Sequence, residues 1–309
     1  MLDAWGVDQV VDLSGGSPGE GLELHLELAS RAPGRIIVFT SPDFRELLAG
    51  PGYGERMAAQ LEHAHALGAR GVKIFKSLGL NIPGPDGKPL PVDDPGLDPL
   101  FEKAGELGMP VAIHTGDPKA FWLPVDAKNE RFAELSAHPR WSYYGKPVPS
   151  WAQLFQQFEH LVAKHPKTTF IGVHFGNDPE DPKHVGELLD RYPNLYVDTS
   201  ARVPEIGRGD VDPVRELFLK HHDRILFGTD VAVGDAPEQL WLGSRGREVP
   251  GPEDVKLFYG STFRFFETRD KAFPSPTPIQ GNWTVSGIGL PAEIQAEIYF
   301  GNAKRLLGL

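Results

Sequence analysis

The 309-residue chain contains no cysteine. That absence excludes disulfides, thiolate zinc sites, iron–sulfur clusters and cysteine nucleophiles, so any metal would have to sit on His, Asp, Glu or a modified Lys. Positive charge is scarce as well, with 31 Lys and Arg against 42 Asp and Glu, a formal net charge of −11. Such a balance repels phosphate backbones and anionic lipid, and no Lys/Arg-rich run reverses it locally. Nucleic acid and membrane are therefore not expected partners, and a small-molecule substrate is. No apolar run approaches the roughly 20 residues that cross a bilayer. The opening Met1-Leu2-Asp3-Ala4-Trp5 has neither the basic start nor the apolar stretch of a secretory leader, which points to the cytoplasm. No glycine-rich GxGxxG turn is present, which weighs against a doubly wound dinucleotide-binding sheet.

What is present is an alternation. Seven short apolar runs read as strands: Gln9 to Leu13, Arg35 to Thr40, Gly71 to Phe75, Pro110 to His114, Thr169 to His174, Leu195 to Thr199 and Arg224 to Thr229. Between them lie amphipathic stretches that read as helices at 20 to 31, 54 to 68, 97 to 108, 150 to 165, 183 to 192 and 213 to 222. Gly68, Gly108 and the pair Pro193-Asn194 punctuate the helix ends. Strand and helix in strict repetition predict parallel crossover units, and eight such units close a barrel whose active site lies at the carboxyl ends of the strands. Seven are visible, so the expected fold is a TIM (β/α)8-type barrel lacking its first strand, formed by residues 1–309 as one domain. Two long connections, about 115–149 and 231–250, are expected to act as lids over the barrel mouth. In the first, Phe121-Trp122, Asn129-Glu130-Arg131 and Trp141 to Tyr144 either line a pocket or pack on one another.

Alternation of side chains along a strand separates barrel-facing from helix-facing residues. It places His114 inward with Ala112, Lys73 with Gly71 and Phe75, Asp198 with Tyr196, and Asp230 with Leu226 and Gly228. The same reading sets Ile171 and Val173 outward and His174 inward. Each of these polar residues has an ordinary explanation alone, as a hydrogen-bonded core histidine or a paired lysine. Five at corresponding strand ends point to one site. Without thiolates, imidazole and carboxylate suit zinc, manganese or iron, zinc being the leading expectation. Such an ion activates water near neutral pH and polarises an acyl oxygen. The set suits hydrolysis, and equally decarboxylation, in which carbon is protonated after carbon dioxide leaves.

The segments GVKIFKSLGL (71 to 80), VAIHTGDP (111 to 118), FIGVHFGN (170 to 177), NLYVDTSAR (194 to 202), RILFGTD (224 to 230) and IYFGNAKRLLGL (298 to 309) together resemble the amidohydrolase-related metal-dependent hydrolases. More narrowly they resemble the branch holding the aminocarboxymuconate semialdehyde and hydroxybenzoate decarboxylases. The resemblance implies a metal-binding His114, a His174 that activates water or relays a proton, and an Asp230 that touches metal or accepts a proton. Lys73, Arg202, Asp198 and Trp122 are then expected around the substrate, Asn302 as a helix cap, and Leu306 and Leu307 as its packing onto the barrel. Relatives begin with a strand bearing His-x-His. The only such pair here, His63-Ala64-His65, sits in a helical setting. Open sheet edges would also favour pairing with a second copy of the chain. The expected function is metal-dependent hydrolysis of a small, anionic carbonyl compound. The alternatives are non-oxidative decarboxylation of an aromatic or unsaturated acid, and a degenerate barrel without catalysis.

Overall fold

The computed structural model describes residues 2–234, 240–243 and 250–309. Its centre is one parallel sheet of seven strands in sequence order: β1 (Val10–Asp12), β2 (Ile36–Thr40), β3 (Gly71–Ile74), β4 (Val111–Ile113), β5 (Phe170–Gly172), β6 (Leu195–Asp198) and β7 (Ile225–Leu226). Every expected strand is present, each trimmed at its ends. Neighbours in sequence are neighbours in space, as parallel crossovers require, and the sheet curls as part of a TIM-type barrel. Helices Leu22–Ser30, Tyr53–Leu67, Asp98–Glu106, Trp151–Lys164, Pro182–Arg191 and Asp212–Lys220 fill the crossovers, within two residues of most expected ends.

The helix ends follow from local chemistry. Gly68 closes its helix at φ 117°, a conformation that costs an L side chain dearly. Ser150 and Gln153 form a reciprocal capping box at the start of Trp151–Lys164, satisfying two otherwise unpaired backbone groups. That helix then presents Leu154, Phe155, Phe158, Leu161 and Val162 to the interior.

Register shows how the strand faces divide. Cα partners run Lys73 to Ala112, Ala112 to Ile171, and Ile171 to Tyr196, so these four share one face. The opposite face carries Val72, Ile74, Val111, Ile113, Phe170, Leu195, Val197 and Ile225, all packed with the helices in the main core. Within the curl, Ile37, Phe39, Ala112, Ile171, Val173 and Leu226 form a second cluster. Ile171 and Val173 therefore face inward, the reverse of the expectation. The reason lies just beyond the strand, where His174 and Phe175 adopt left-handed backbone (φ 56° and 58°) and break the alternation.

The carboxyl-terminal residues close on this inner cluster. Leu306 and Leu307 pack against it together with Ala303. Asn302 is not a cap. It is buried, and its Nδ2 donates to the carbonyls of His222 (2.5 Å) and Ile225 (2.7 Å), pinning the last helix to the start of β7. Helix Pro252–Glu267, which the strand–helix alternation did not anticipate, supports β7 from outside through Phe263 stacked on Phe227 at 5.6 Å. The second expected lid falls partly outside the described residues (235–239 and 244–249). Its described part is a short antiparallel pair, Val231–Val233 with Leu240–Leu242. No helix among the described residues is long and apolar enough to cross a membrane.

Candidate active site

His114 follows β4, and the turn after it is held from β5. The Asn177 carboxamide oxygen accepts from the Thr115 amide at 2.8 Å, a fit that uses left-handed backbone at Asn177 (φ 63°). His174 arrives by the turn that reversed the strand parity, and its ring meets that of His114 edge-on, with centroids 4.4 Å apart. The His174 Nδ1–H donates to the Ser200 carbonyl at 2.9 Å, which fixes the tautomer and leaves Nε2 facing away from that bond. His114 Nε2 is buried and has no hydrogen-bond partner among the described residues. Burial pushes both imidazoles well below the usual range, and the cationic charges of Lys73 and Arg202 push the same way, so both rings are neutral at physiological pH.

Asp198 ends β6 on the inner face. One carboxylate oxygen accepts from the His174 amide (3.0 Å) and the Ser200 amide (2.9 Å), yet burial raises its pKa above the ordinary value. Lys73, 5 % exposed, projects from β3 toward Asp198 and Asp230. Burial lowers its ammonium to about 8, against the pull of those two carboxylates. Asp230 stands at the exposed mouth. Protein packed around its carboxyl nevertheless strips away enough water to push it up to about 6, a rise that Arg202 opposes and Asp198 assists. Arg202, buried just past β6, donates Nη1 to the Ala201 carbonyl at 3.1 Å. The structure thus gathers His114, His174, Lys73, Asp198, Asp230 and Arg202 at the carboxyl end of the sheet.

Trp122 packs behind the turn that follows His114, against Gly116 and Tyr143. Its indole N–H donates to the Pro149 carbonyl at 3.0 Å and its ring packs on Tyr143 at 4.6 Å, within a cluster of Leu80, Phe121, Leu135 and Leu154. The 115–149 connection is thus a segment with its own small core. Asn129 and Arg131 are buried in it. Arg131 pairs with Glu134 (2.9 Å) and with Glu205 from the far side of the barrel rim, a charge network sealed from water.

The connection does send two groups to the site: Asp117, which the sequence reading did not single out, and Tyr143, from the stretch Trp141 to Tyr144 named as a possible pocket lining. Asp117, 8 % exposed, lies 3.8 Å from His114 Nε2, accepts two hydrogen bonds from Lys76 (2.6 and 2.7 Å) and one from the Tyr143 hydroxyl (2.8 Å). Asp117 was within reach of sequence reasoning, three residues after His114 in HTGDP. The bond from Tyr143 to Asp117 was not, since only the folding back of the connection makes it.

A family model for the amidohydrolases matches residues 23–309. The chain belongs to the amidohydrolase family. Among solved structures it is similar to an uncharacterised TIM-barrel protein from Bordetella bronchiseptica, at 17 % identity and TM-score 0.55 over 99 % of this chain and 80 % of that one. It is similar also to 2,6-dihydroxybenzoate decarboxylase from Rhizobium (18 % identity, TM-score 0.54, 99 % and 86 % covered). A third likeness is to a dihydroxybenzoic acid decarboxylase from Polaromonas sp. JS666 with bound manganese and the inhibitor 2-nitroresorcinol (16 % identity, TM-score 0.55, 100 % and 84 % covered). At these identities the likeness establishes the fold. No protein of curated function matches the chain.

Membership of the amidohydrolase family points to a divalent metal. The donors among the described residues do not complete a site for one. Among the described residues no three His, Asp or Glu side chains stand close enough to share an ion, one short of the usual protein complement of catalytic zinc. The carboxylate nearest the free His114 nitrogen, Asp117, is already held by Lys76 and Tyr143. Lys76, Lys73 and Arg202 also place positive charge around His114, where a cation would have to bind.

Proposed function

We propose that this amidohydrolase-family barrel is an enzyme that removes carbon dioxide from a small aromatic or unsaturated carboxylic acid by acid–base chemistry. The observation that carries this reading is Asp230, a carboxyl raised to about 6 at the open mouth and facing the cations Lys73 and Arg202. Decarboxylation needs a proton donor for carbon, and an anionic substrate needs positive charge to bind and orient it; these residues supply both.

In the reaction the substrate carboxylate is drawn to Lys73 and Arg202. Asp230 delivers its proton to the carbon that bears the carboxylate. The bond to the carboxylate then breaks, its electron pair restores the unsaturation, and carbon dioxide leaves. Asp230, exposed at the mouth, takes back a proton from water. His174 Nε2 accepts a hydrogen bond from a substrate hydroxyl, with its tautomer set by Ser200, and neutral His114 packs beside it. The names of the Rhizobium and Polaromonas relatives support a hydroxylated benzoate as the substrate class.

One observation favours a second reading, hydrolysis of a small carbonyl compound: the His114 Nε2 without a partner. Product analysis separates the two. Incubation with dihydroxybenzoates is expected to release carbon dioxide and the matching phenol, and an oxygen-18 label in the product from labelled water would replace decarboxylation with hydrolysis. His174→Ala tests for catalysis of either kind, since a folded variant with full activity would remove the site.

A further inference from the structure

Lys73 is the amine of the inner face, and the fold leaves it without a partner. The lysines that follow β3 and β4 are tied down, Lys76 to Asp117 (2.6 Å) and Lys119 to Asp178 (2.9 Å). Lys73 is only 5 % exposed, yet among the described residues it makes no hydrogen bond or ion pair; Asp198 and Asp230 attract it from beyond ion-pair distance. Its neighbour in register on β4 is Ala112, a side chain too small to close over the amine. The nitrogen is not sealed from solvent, and it lies 5.2 Å from the centre of the exposed Phe75 ring at the mouth.

Burial without a partner penalises the ammonium and not the neutral amine. With its ammonium lowered to about 8, about one Lys73 in ten is a free amine at pH 7, against roughly one in two thousand for a lysine in water. A free amine is a nucleophile toward the carbon of an aldehyde or ketone. Asp230, on the same rim and partly protonated near neutral pH, can carry the proton that the departing oxygen needs. The Phe75 ring offers its face to a flat aromatic compound at the entrance.

We propose that Lys73 is a carbonyl-capturing amine, which holds a small aromatic aldehyde as a covalent imine. The Nζ lone pair attacks the carbonyl carbon, the N–C bond forms, and a proton passes from nitrogen to the carbonyl oxygen. Asp230 gives that oxygen a second proton, the C–O bond breaks, and water leaves. The nitrogen lone pair closes the C=N bond, and the proton left on nitrogen returns to Asp230. The choice of an aromatic compound rests on the decarboxylation reading, with a formyl group standing where that reading places a carboxylate; the capture of a carbonyl does not depend on it.

The probe is 2-hydroxybenzaldehyde with cyanoborohydride, which reduces the imine and fixes it to the full chain, and peptide mass spectrometry locates the label. In wild type at pH 7, Lys73 is expected to be labelled roughly tenfold faster than the exposed Lys88 and Lys183. Accessibility alone predicts the opposite order, so equal or slower labelling of Lys73 overturns the proposal. Asp198, Asp230, His114 and His174 share its field, and Lys73 is the group among them lowered to about 8. Its labelling rate should therefore level off above about pH 8, where an unperturbed lysine would climb on to about 10; a climb to 10 at Lys73 also overturns the proposal. Benzoate separates the two readings of the site. Protection of Lys73 by benzoate puts aldehyde and carboxylate in one place, whereas fast labelling indifferent to benzoate leaves the imine standing and removes Lys73 from carboxylate binding. Slow labelling alongside release of carbon dioxide from a dihydroxybenzoate would overturn the imine and leave the decarboxylase reading intact.

Discussion

The two faces of the same seven strands have been put to opposite uses. The helix-facing side is an unbroken aliphatic and aromatic surface, with Val72, Ile74, Val111, Ile113, Phe170 and Ile225 each at 1 % exposure or less. The inward side shares the same backbone hydrogen bonds but carries Lys73 and Asp198, with His114, His174 and Asp230 just beyond the strand ends. Burying apolar surface contributes about 25 cal/mol per Å², whereas burying charge costs energy unless it is paired. The outward face, together with the apolar cluster of Ile37, Phe39, Ile171 and Leu226 inside the curl, therefore offsets the cost of the charges at the inner rim.

This contrast can be broken most sharply at Asp230. Replacement with Asn removes the proton donor and is expected to lower kcat about 10²- to 10⁴-fold, measured as carbon dioxide release. Thermal melting should show the fold intact, since one charge is removed from the inward face. A variant that is inactive because it is unfolded would contradict the division of labour. The same group sets the pH dependence. Activity that needs protonated Asp230 should fall as pH rises through about 6, whereas hydrolysis using Asp230 as a base would rise there.

The reciprocal experiment is Phe170→Ala on the outward face, where a fully buried ring is lost. A cost of about 3–5 kcal/mol in urea unfolding is expected. Activity per folded molecule should be preserved, and loss of turnover at full folding would show that the faces are not separable.

A smaller effect follows from the two histidines. Both have folded-state pKa values well below 6.5, so below that pH the unfolded chain takes up protons that the folded chain refuses. Stability should therefore fall as pH drops through about 6.5, and melting of a His114→Gln, His174→Gln double variant between pH 7.5 and 5.5 should show a shallower decline. An unchanged slope would mean that these rings are not buried neutral.

The smallest expected change is Tyr143→Phe, which removes one hydrogen bond to Asp117 and should cost about 1–2 kcal/mol. Substrate affinity is the sharper readout, because Asp117 then holds Lys76 without its second donor.

Several elements of this arrangement were open to reading in the chain itself. The helix and strand positions follow from two periods, 3.6 and 2, which a run such as Val111-Ala112-Ile113 displays directly. Helix Pro252–Glu267 carried its signals too: proline in the first turn, Glu253 and Asp254 beside it, and apolar residues at 255, 258, 259, 263 and 266. This helix follows the seventh strand and stands outside the strand–helix repeat, so that repeat does not announce it. Ile171 and Val173 failed for a different reason. Two non-glycine residues in left-handed backbone are uncommon, and no residue type in FIGVHFGN announces them.

The buried pairing of Arg131 with Glu205 lay beyond any local pattern, because neither residue's neighbours in sequence hint at the other. The same holds for Tyr143 and Asp117. Such contacts depend on how a long connection folds back, which is decided by packing of its own apolar cluster and not by a period.

By itself the sequence determined the parallel β/α order, the family, and which side chains reach the carboxyl ends of the strands, because these follow from repeating local geometry. Only the tertiary structure decided that His174 turns inward against its strand parity, that Lys73 is left without a partner, and that Asp117 is already claimed. Those outcomes depend on which polar atoms lose water together, and desolvation is a property of the assembled fold.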